Sequence, residues 1–293
     1  MEGSSMNPMN SSWWEVLITK NPMMAEITRF RKRFFSIRGS SVAINGGIGI
    51  VLVLYALFAM VCVYYRGDID PIILIMFFVG MMLFVIPLLL HASISGERER
   101  RSWDMLLVAP ITHGQIIAGK FMGAFAGLAM GLGLYIIPVI IDAFFYPDTR
   151  LLSLILALLT VLAQGASLIA MTLLISSRVK RPLVALAVSI GVIVIYFIFV
   201  PGLVSTVTSF TGSFVTGLVS PFEVLRRLSP SGNGMRDAYG NQSVIQGLDL
   251  FALTTGHFLY QFIITITLLV WATKTLVFAD HEVKFIPKKK RHA

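Results

Sequence analysis

Hydrophobic runs long enough to cross a bilayer fill most of this 293-residue chain, and they constrain its fold more than any other feature. A helix of about 20 residues spans the hydrocarbon core of a membrane. Because hydrocarbon offers no hydrogen-bond partners, the backbone of each run must satisfy itself as a helix. We therefore predict an all-α integral membrane protein with six transmembrane helices. The predicted spans are 42–65, 71–95, 115–142, 151–176, 182–201 and 252–278.

The composition agrees with this fold class. Charged residues make up 13% of the chain, whereas soluble domains carry roughly 25%. The six spans leave little length for a separate soluble domain, so residues 1–293 are predicted to form a single transmembrane domain. The single cysteine, Cys62, excludes a disulfide framework and gives no indication of a metal site.

The basic residues predict the topology. Of the 24 lysines and arginines, the six predicted spans place 19 on one side of the membrane and 5 on the other. The positive-inside rule then puts both termini in the cytoplasm. An odd number of spans would scramble this bias. Because the positive charges lie at the ends of apolar runs, the net charge of +9 indicates membrane lipids as partners rather than nucleic acid.

Three segments flank or interrupt the spans. Residues 13–38 are predicted to form an amphipathic elbow helix in the headgroup plane, begun by Asn21-Pro22. A solvated helix docked on a partner is the alternative for this segment. Between helices 1–5, which occupy 42–201, and helix 6, residues 202–250 are predicted to be extracytoplasmic, with two short re-entrant helices in the outer leaflet. Residues 279–293 form a basic cytoplasmic tail.

A charged segment between helices 2 and 3 carries the strongest functional indication. From Gly96 to Pro110, five consecutive charges precede an apolar helical turn and a proline. A short helix pressed against the membrane, with charges that fix its register, suits the docking of a partner protein. An ordinary basic loop end is the alternative. The candidate docking residues are Glu97, Arg98, Glu99, Arg101, Trp103, Leu106, Leu107 and Pro110.

The stretch from Glu97 to Lys120 resembles the motif of the type-two ABC exporter permeases, which are membrane-spanning subunits of ATP-binding-cassette transporters. The residues that carry the resemblance are Glu97, Arg98, Glu99, Leu106, Leu107, Pro110, Gly119 and Lys120. From Arg101 to Asp104 the chain departs from the family pattern, which bears on the identity of the partner. In that family the segment is a coupling helix that inserts into a groove of the ATPase subunit.

The resemblance implies the rest of the functional prediction. It implies an exporter permease that moves a substrate out of the cytoplasm across the cell (inner) membrane. The implied partners are a separate ABC ATPase subunit and a second permease copy or paralogue, which make a dimer. ATP and Mg would be used by the ATPase, and this chain itself would bind no cofactor.

A near-match to a phosphate-binding loop lies from Gly114 to Phe121. Phe121 replaces the serine or threonine that would hold magnesium, and the segment runs directly into a membrane helix. We therefore expect no ATP site there. The chain is not predicted to be an enzyme, since no nucleophile–base set, carboxylate pair or metal cluster stands out.

Two further patterns fall inside the spans. Helix 3 carries small residues at a four-residue spacing typical of close helix packing in lipid; these are Gly119, Gly123, Gly127 and Gly131. Polar residues inside spans are candidates to line a transport pathway, although each is equally suited to bond a neighbouring helix. The candidate pathway residues are Gln164, His257, Gln261 and Thr265.

Two other hypotheses stay open at the level of sequence. The chain is alternatively a membrane scaffold or assembly subunit that transports nothing. It is alternatively an ion-coupled secondary carrier, although few ionisable groups lie deep in the predicted spans.

Overall fold

The computed structural model describes residues 55–62, 64–65, 69–99, 111–146, 150–207, 212–229 and 247–284. Within these residues every regular element is a helix, as the all-α prediction expects. The helices, in chain order, are α1 (55–62), α2 (Pro71–Leu90), α3 (Ala92–Glu99), α4 (His113–Phe145), α5 (Leu151–Arg178), α6 (Pro182–Val194), α7 (Val200–Val207), α8 (Gly212–Val219), α9 (Pro221–Leu228) and α10 (Gly247–Lys284).

Five helical stretches of the described chain are long and apolar enough to cross a membrane. They are Pro71–Glu99, His113–Phe145, Leu151–Arg178, Pro182–Val204 and Phe251–Leu276. These stretches coincide with predicted helices 2 to 6, and every boundary agrees to within four residues. The first predicted span, 42–65, is described only from residue 55 onward, so the count of six stays a prediction. The elbow at 13–38 and the tail beyond residue 284 lie outside the described residues.

Short connections make successive spans antiparallel, which gives the bundle two ends. At one end α3 ends and α4 begins, and the three-residue connection 179–181 joins α5 to α6. We call this the basic end, because Lys120, Arg178 and Lys180 lie there. At the opposite end, α4 leads into α5, and α8 and α9 lie between α7 and α10.

Helix α5 is the centre of the bundle. In its most apolar 18-residue window 61% of the residues are buried, against at most 39% in the other four candidate spans. The main apolar core joins α5 to α2 and α6 through residues such as Val79, Leu168 and Ile193. Large apolar side chains on the outer faces, among them Phe84 and Phe262, are more than half exposed. Such an outer surface suits contact with lipid chains.

Helix α6 changes its winding before it continues as α7. Residues Ile195–Phe199 form a π-helical turn, in which the Val200 N–H donates to the Ile195 carbonyl. Pro201 follows directly and has no N–H to donate to a carbonyl one turn earlier. A wider turn beside a proline is a common way to accommodate this interruption. The hydroxyls of Tyr196 and Tyr260 lie 2.8 Å apart and link this turn to α10.

Two eight-residue helices, α8 and α9, lie where the sequence predicts two short helices between helices 5 and 6. Their position relative to a membrane stays a prediction. Helix α9 pairs its charges internally, because Glu223 accepts hydrogen bonds from both Arg226 and Arg227 and leaves a net charge of one. Burial opposes ionisation of Glu223, but the two guanidinium groups outweigh it and lower the pKa of this carboxyl.

Asp70 fastens the end of α9 to the start of α2. One carboxylate oxygen accepts from the Ile72 N–H at 2.9 Å and caps α2, and Pro71 occupies the first turn. The other oxygen accepts a short hydrogen bond from the Ser229 hydroxyl. Asp70 and Ser229 are each only 3% exposed. The closure of this end of the bundle thus depends on one buried carboxylate.

Asp70→Ala is expected to lower the free energy of unfolding by about 2 kcal/mol, since it removes a helix cap and the acceptor of a buried hydroxyl. Asp70→Asn keeps an acceptor for the cap and should cost less. The matched control, Ser229→Ala, removes only the second bond and should cost about 1 kcal/mol. Denaturant unfolding in detergent measures all three variants. Equal stability of Asp70→Ala and the unaltered protein would contradict the assignment.

Candidate functional site

Residues 100–110 connect the end of α3 to the start of α4, and an ion pair joins these two stems of the connection. The Lys120 ammonium lies 2.7 Å from Glu97 Oε1 and donates at 2.7 Å to the Ser93 carbonyl. The side chains are only 14% and 29% exposed, respectively. The two stems are therefore held together, because separating them would break an ion pair between two partly buried charges.

Helix α3 is also fastened to the end of α5. Ser176 Oγ accepts from the backbone N–H groups of Ile94 and Ser95, and donates at 2.8 Å to the His91 carbonyl. Arg98 donates at 2.7 Å to the Ser177 carbonyl. A serine hydroxyl is small enough to satisfy the first turn of α3 without separating the two helices. The two stems are thereby joined to the central helix of the bundle.

Two of the predicted docking residues contact helices of their own chain. Glu97 and Arg98 contact α4 and α5 of their own chain, while Glu99 is exposed. The other predicted docking residues lie outside the described residues; they are Arg101, Trp103, Leu106, Leu107 and Pro110. Sequence analysis missed the pairing of Glu97 with Lys120, although both belong to the same motif, because residues 23 apart give no periodic signal.

A second polar zone lies in the middle of the bundle, between α5 and α10. Gln261 Nε2 donates to Gln164 Oε1 at 2.9 Å, and Gln164 Nε2 donates to Ser167 Oγ at 3.1 Å. Thr265 bonds the Gln261 carbonyl on its own helix. Both glutamines are fully buried, and Thr265 is 7% exposed. The structure thus brings together three of the four predicted pathway residues.

The fourth, His257, lies one turn before Gln261 in α10 and is fully buried. Its Nδ1 is 2.9 Å from the Leu218 carbonyl and 3.2 Å from the Gly217 carbonyl. Carbonyls only accept, so Nδ1 is assigned the proton, and Nε2 of the neutral ring is an acceptor. Nε2 of His257 and Oε1 of Gln261 have no hydrogen-bond partner among the described residues.

These two unpaired atoms determine which chemical groups the α5–α10 zone is able to bind. Both are acceptors, so they complement a donor such as a hydroxyl, an amide N–H or an ammonium group. Each unpaired buried acceptor costs about 1–3 kcal/mol. Since both atoms are inaccessible to water here, a donor reaches them only when α10 and its neighbours separate. The packed arrangement therefore carries a penalty that separation would relieve.

Two glycines allow the close contacts around this zone. A Cβ on Gly165 would meet Leu128, and would lie 2.8 Å from Met82, so the side chains of α4 and α2 press directly on the α5 backbone beside Gln164. A Cβ on Gly217 would lie 2.7 Å from Leu253, next to the carbonyl that bonds His257. Sequence spacing did not single out either residue, because each stands alone rather than in a stripe.

The four glycines predicted to form a packing stripe on helix 3, which is α4 in the structure, differ in their surroundings. Gly119 is buried near the basic end. Gly123, one turn along, is partly buried. A Cβ on Gly127 or Gly131, by contrast, would meet nothing within 4 Å. These two glycines therefore mediate no close helix contact within the described chain, and their role in packing stays a prediction.

One buried acid escaped the sequence analysis. Asp142 is fully buried in α4, three residues before the helix ends at Phe145. It is the last residue of the predicted span 115–142. An acidic residue at that position is readily interpreted as the start of the following loop and not as part of the buried helix. Its position between Ile141 and Ala143, in an apolar run that continues to Phe145, was the available signal.

The near-match to a phosphate-binding loop is helical. Helix α4 begins at His113, so Gly114 to Phe121 lie in its first turns rather than in a loop. Thr112 caps this helix, and the Thr112 and Gln115 side chains satisfy each other's backbone N–H groups. In the described part of the chain no group of three or more His, Cys, Asp or Glu side chains is placed to hold a metal ion.

A bundle of apolar helices with a polar zone at its centre and a clamped loop at one end defines a multi-pass membrane protein. The family model described as "ABC-2 family transporter protein" matches residues 66–279. The chain belongs to this family, and it is a membrane permease of an ABC transporter. No curated protein matches the chain.

The Gln164–Gln261 bond predicts energetic coupling between α5 and α10. Gln164→Leu and Gln261→Leu should each destabilise the protein, while the double variant should cost less than the sum by about 0.5–1.5 kcal/mol. Denaturant unfolding in detergent provides the four free energies of the cycle. As a control, Gln164→Leu combined with Thr267→Val should be additive, because Thr267 is an exposed residue that bonds only its own helix. An additive Gln164–Gln261 cycle would refute the coupling.

The clamp at the loop stems gives a second stability prediction. Lys120→Met should cost about 1–2 kcal/mol, since it removes the ion pair with the partly buried Glu97 carboxylate and the hydrogen bond to the Ser93 carbonyl. Exchanging the charges, Glu97→Lys with Lys120→Glu, should restore part of this loss but not the bond to the Ser93 carbonyl. Glu99→Gln, which changes an exposed acid two residues away, should leave unfolding unchanged. A doubly exchanged variant less stable than either single variant would argue against the clamp.

Proposed function

We propose that this chain is the permease subunit of an ABC exporter, driven by a separate ABC ATPase and paired with a second permease. The basic end and both chain termini face the cytoplasm of a cell (inner) membrane in this proposal. Membership of the ABC-2 family supports it. The observation that carries it is the Glu97–Lys120 clamp, which joins both stems of the loop 100–110 to the bundle.

The clamp provides a route by which movement of the ATPase would be transmitted to the helices of the permease. In the proposal the loop 100–110 is the coupling helix, with Trp103, Leu106 and Leu107 in contact with the ATPase. A push on the loop reaches α4 through Lys120 and α5 through Ser176 and Ser177. From α5 it reaches α10, because Ser177 Oγ and Thr275 Oγ1 lie 3.0 Å apart. Glu97 and Arg98 thus transmit movement instead of contacting the partner.

The α5–α10 zone is where this movement would matter for transport. Gln164, His257, Gln261 and Thr265 are proposed to line the pathway once the two helices separate. Their orphaned acceptors are then exposed to a substrate that carries hydrogen-bond donors. This is an alternating-access mechanism. The structure corresponds to the conformation in which α5 and α10 pack together and close the polar zone between them.

The coupling assignment is tested by changing the contact without changing the clamp. Leu106→Asp is expected to reduce co-purification of the ATPase by about tenfold or more, since a charge would enter an apolar contact. Leu106→Met is the matched control and should retain the partner. Pull-down from membranes with quantitative mass spectrometry, together with ATP hydrolysis by the purified complex, gives the readout. If Leu106→Asp keeps both the ATPase and its hydrolysis, the loop is not the coupling helix.

The pathway assignment needs a separate experiment. Replacing Gln164, Gln261 and Thr265 together by Leu should impair ATP-dependent uptake of labelled solutes into inside-out vesicles while ATPase co-purification is retained. A non-transporting scaffold would show no ATP-dependent uptake in either protein. Uptake driven by an ion gradient without ATP would identify a secondary carrier and overturn the proposal.

A further inference from the structure

Four positive charges at the basic end have no carboxylate partner within the described part of the chain. They are Arg178, Lys180, Arg181 and Lys274, and all four side chains belong to exposed residues. The described ion pairs instead use Lys120, Arg226 and Arg227. The four charges are thus distinct from the basic residues that hold the bundle together.

An exposed aromatic ring lies among them. The guanidinium carbon of Arg178 is 4.6 Å from the centre of the Trp271 ring, and Trp271 is 48% exposed. Stacking on an indole face orients a guanidinium and leaves its N–H edge directed outward. Tryptophans with this exposure are typical of the boundary between hydrocarbon and headgroups.

The helices bring the four charges to one patch. The contact between Ser177 and Thr275 holds the end of α5 against α10. Lys274 follows Trp271 by three residues and so lies on the same face of α10. Lys180 and Arg181 follow Arg178 by two and three residues, which limits their Cα atoms to about 7 and 10 Å from it. The exposed side chain of Leu183 continues the patch toward the apolar surface.

We propose that this patch is a binding site for an anionic phospholipid. The N–H edge of Arg178 matches the paired oxygens of a phosphate, and Trp271 lies at the level of the glycerol backbone. Lys180, Arg181 and Lys274 supply the charge that distinguishes an anionic headgroup from a zwitterionic one. The lipid chains lie along the exposed apolar surface of α10, which includes Val270 and Ile266.

The test compares lipids retained by the purified protein. The protein is reconstituted in nanodiscs of phosphatidylcholine and phosphatidylglycerol, then released and examined by native mass spectrometry. The unaltered protein should retain phosphatidylglycerol in preference to phosphatidylcholine. Arg178→Gln or Trp271→Leu should reduce this preference by about tenfold, the effect of losing one charge-assisted contact. Soluble glycerol phosphate in excess should not displace the lipid.

The chain offers a matched control on the same helix. Arg150 is an exposed cation at the opposite end of α5, and its side chain makes no cap hydrogen bond. Arg150→Gln should leave the lipid preference unchanged. Thermal unfolding in detergent verifies that Arg178→Gln folds, and Lys274→Gln provides a second variant outside the ring contact, with a smaller expected loss.

Two results would overturn the proposal. If Arg178→Gln and Arg150→Gln reduce the preference equally, the protein attracts anionic lipid only through its total charge. If Arg178→Gln keeps the lipid preference but loses the co-purified ATPase, the patch binds an acidic protein surface instead. The lipid preference is measured without reference to whether Leu106 contacts an ATPase. The lipid proposal and the proposed function can therefore be refuted separately.

Discussion

The rest of the structure depends on the burial of α5 by every neighbour it has. In hydrocarbon no apolar driving force favours helix association, so packing and hydrogen bonds between helices must provide it. Helix α5 offers both: Gly165 lets the side chains of α2 and α4 approach the backbone, and Gln164 bonds α10. Its last turn, at Ser176 and Ser177, holds α3. The central helix is therefore bonded both to α3 at the basic end and to α10 in the middle of the bundle.

This arrangement places polar groups in a continuous order from one end of the bundle to its middle. The clamp at Glu97 and Lys120 holds the loop stems, and the Ser177–Thr275 contact joins them to α10. Gln261, some 14 residues from Thr275 along the same helix, bonds α5 again. Helices α5 and α10 are thus in polar contact at two places, near the basic end and in the middle of the bundle.

Sequence alone predicts the membrane class and most of the helix positions, because run length and hydrocarbon solvation determine them. It also singles out Gln164, Gln261 and Thr265 as polar residues inside spans, but it does not predict the contact between Gln164 and Gln261. It fails where the contact is not periodic. Glu97 and Lys120 are 23 residues apart and belong to different helices. Gly165 and Gly217 matter only because particular side chains, rather than a repeating stripe, press against them.

The unpaired acceptors of His257 and Gln261 decide how the closed bundle should be understood. A permanently packed interface would gain by replacing such groups with apolar ones, because an orphaned buried acceptor costs about 1–3 kcal/mol. Here two of them lie on the same face of α10, and each residue is held in place by its other polar atom, His257 against α8 and Gln261 against α5. Acceptors that are fixed in position but lack hydrogen bonds in the packed bundle suit an interface that opens. Under the proposed alternating-access mechanism, the penalty they impose would lower the work needed to separate α10 from its neighbours.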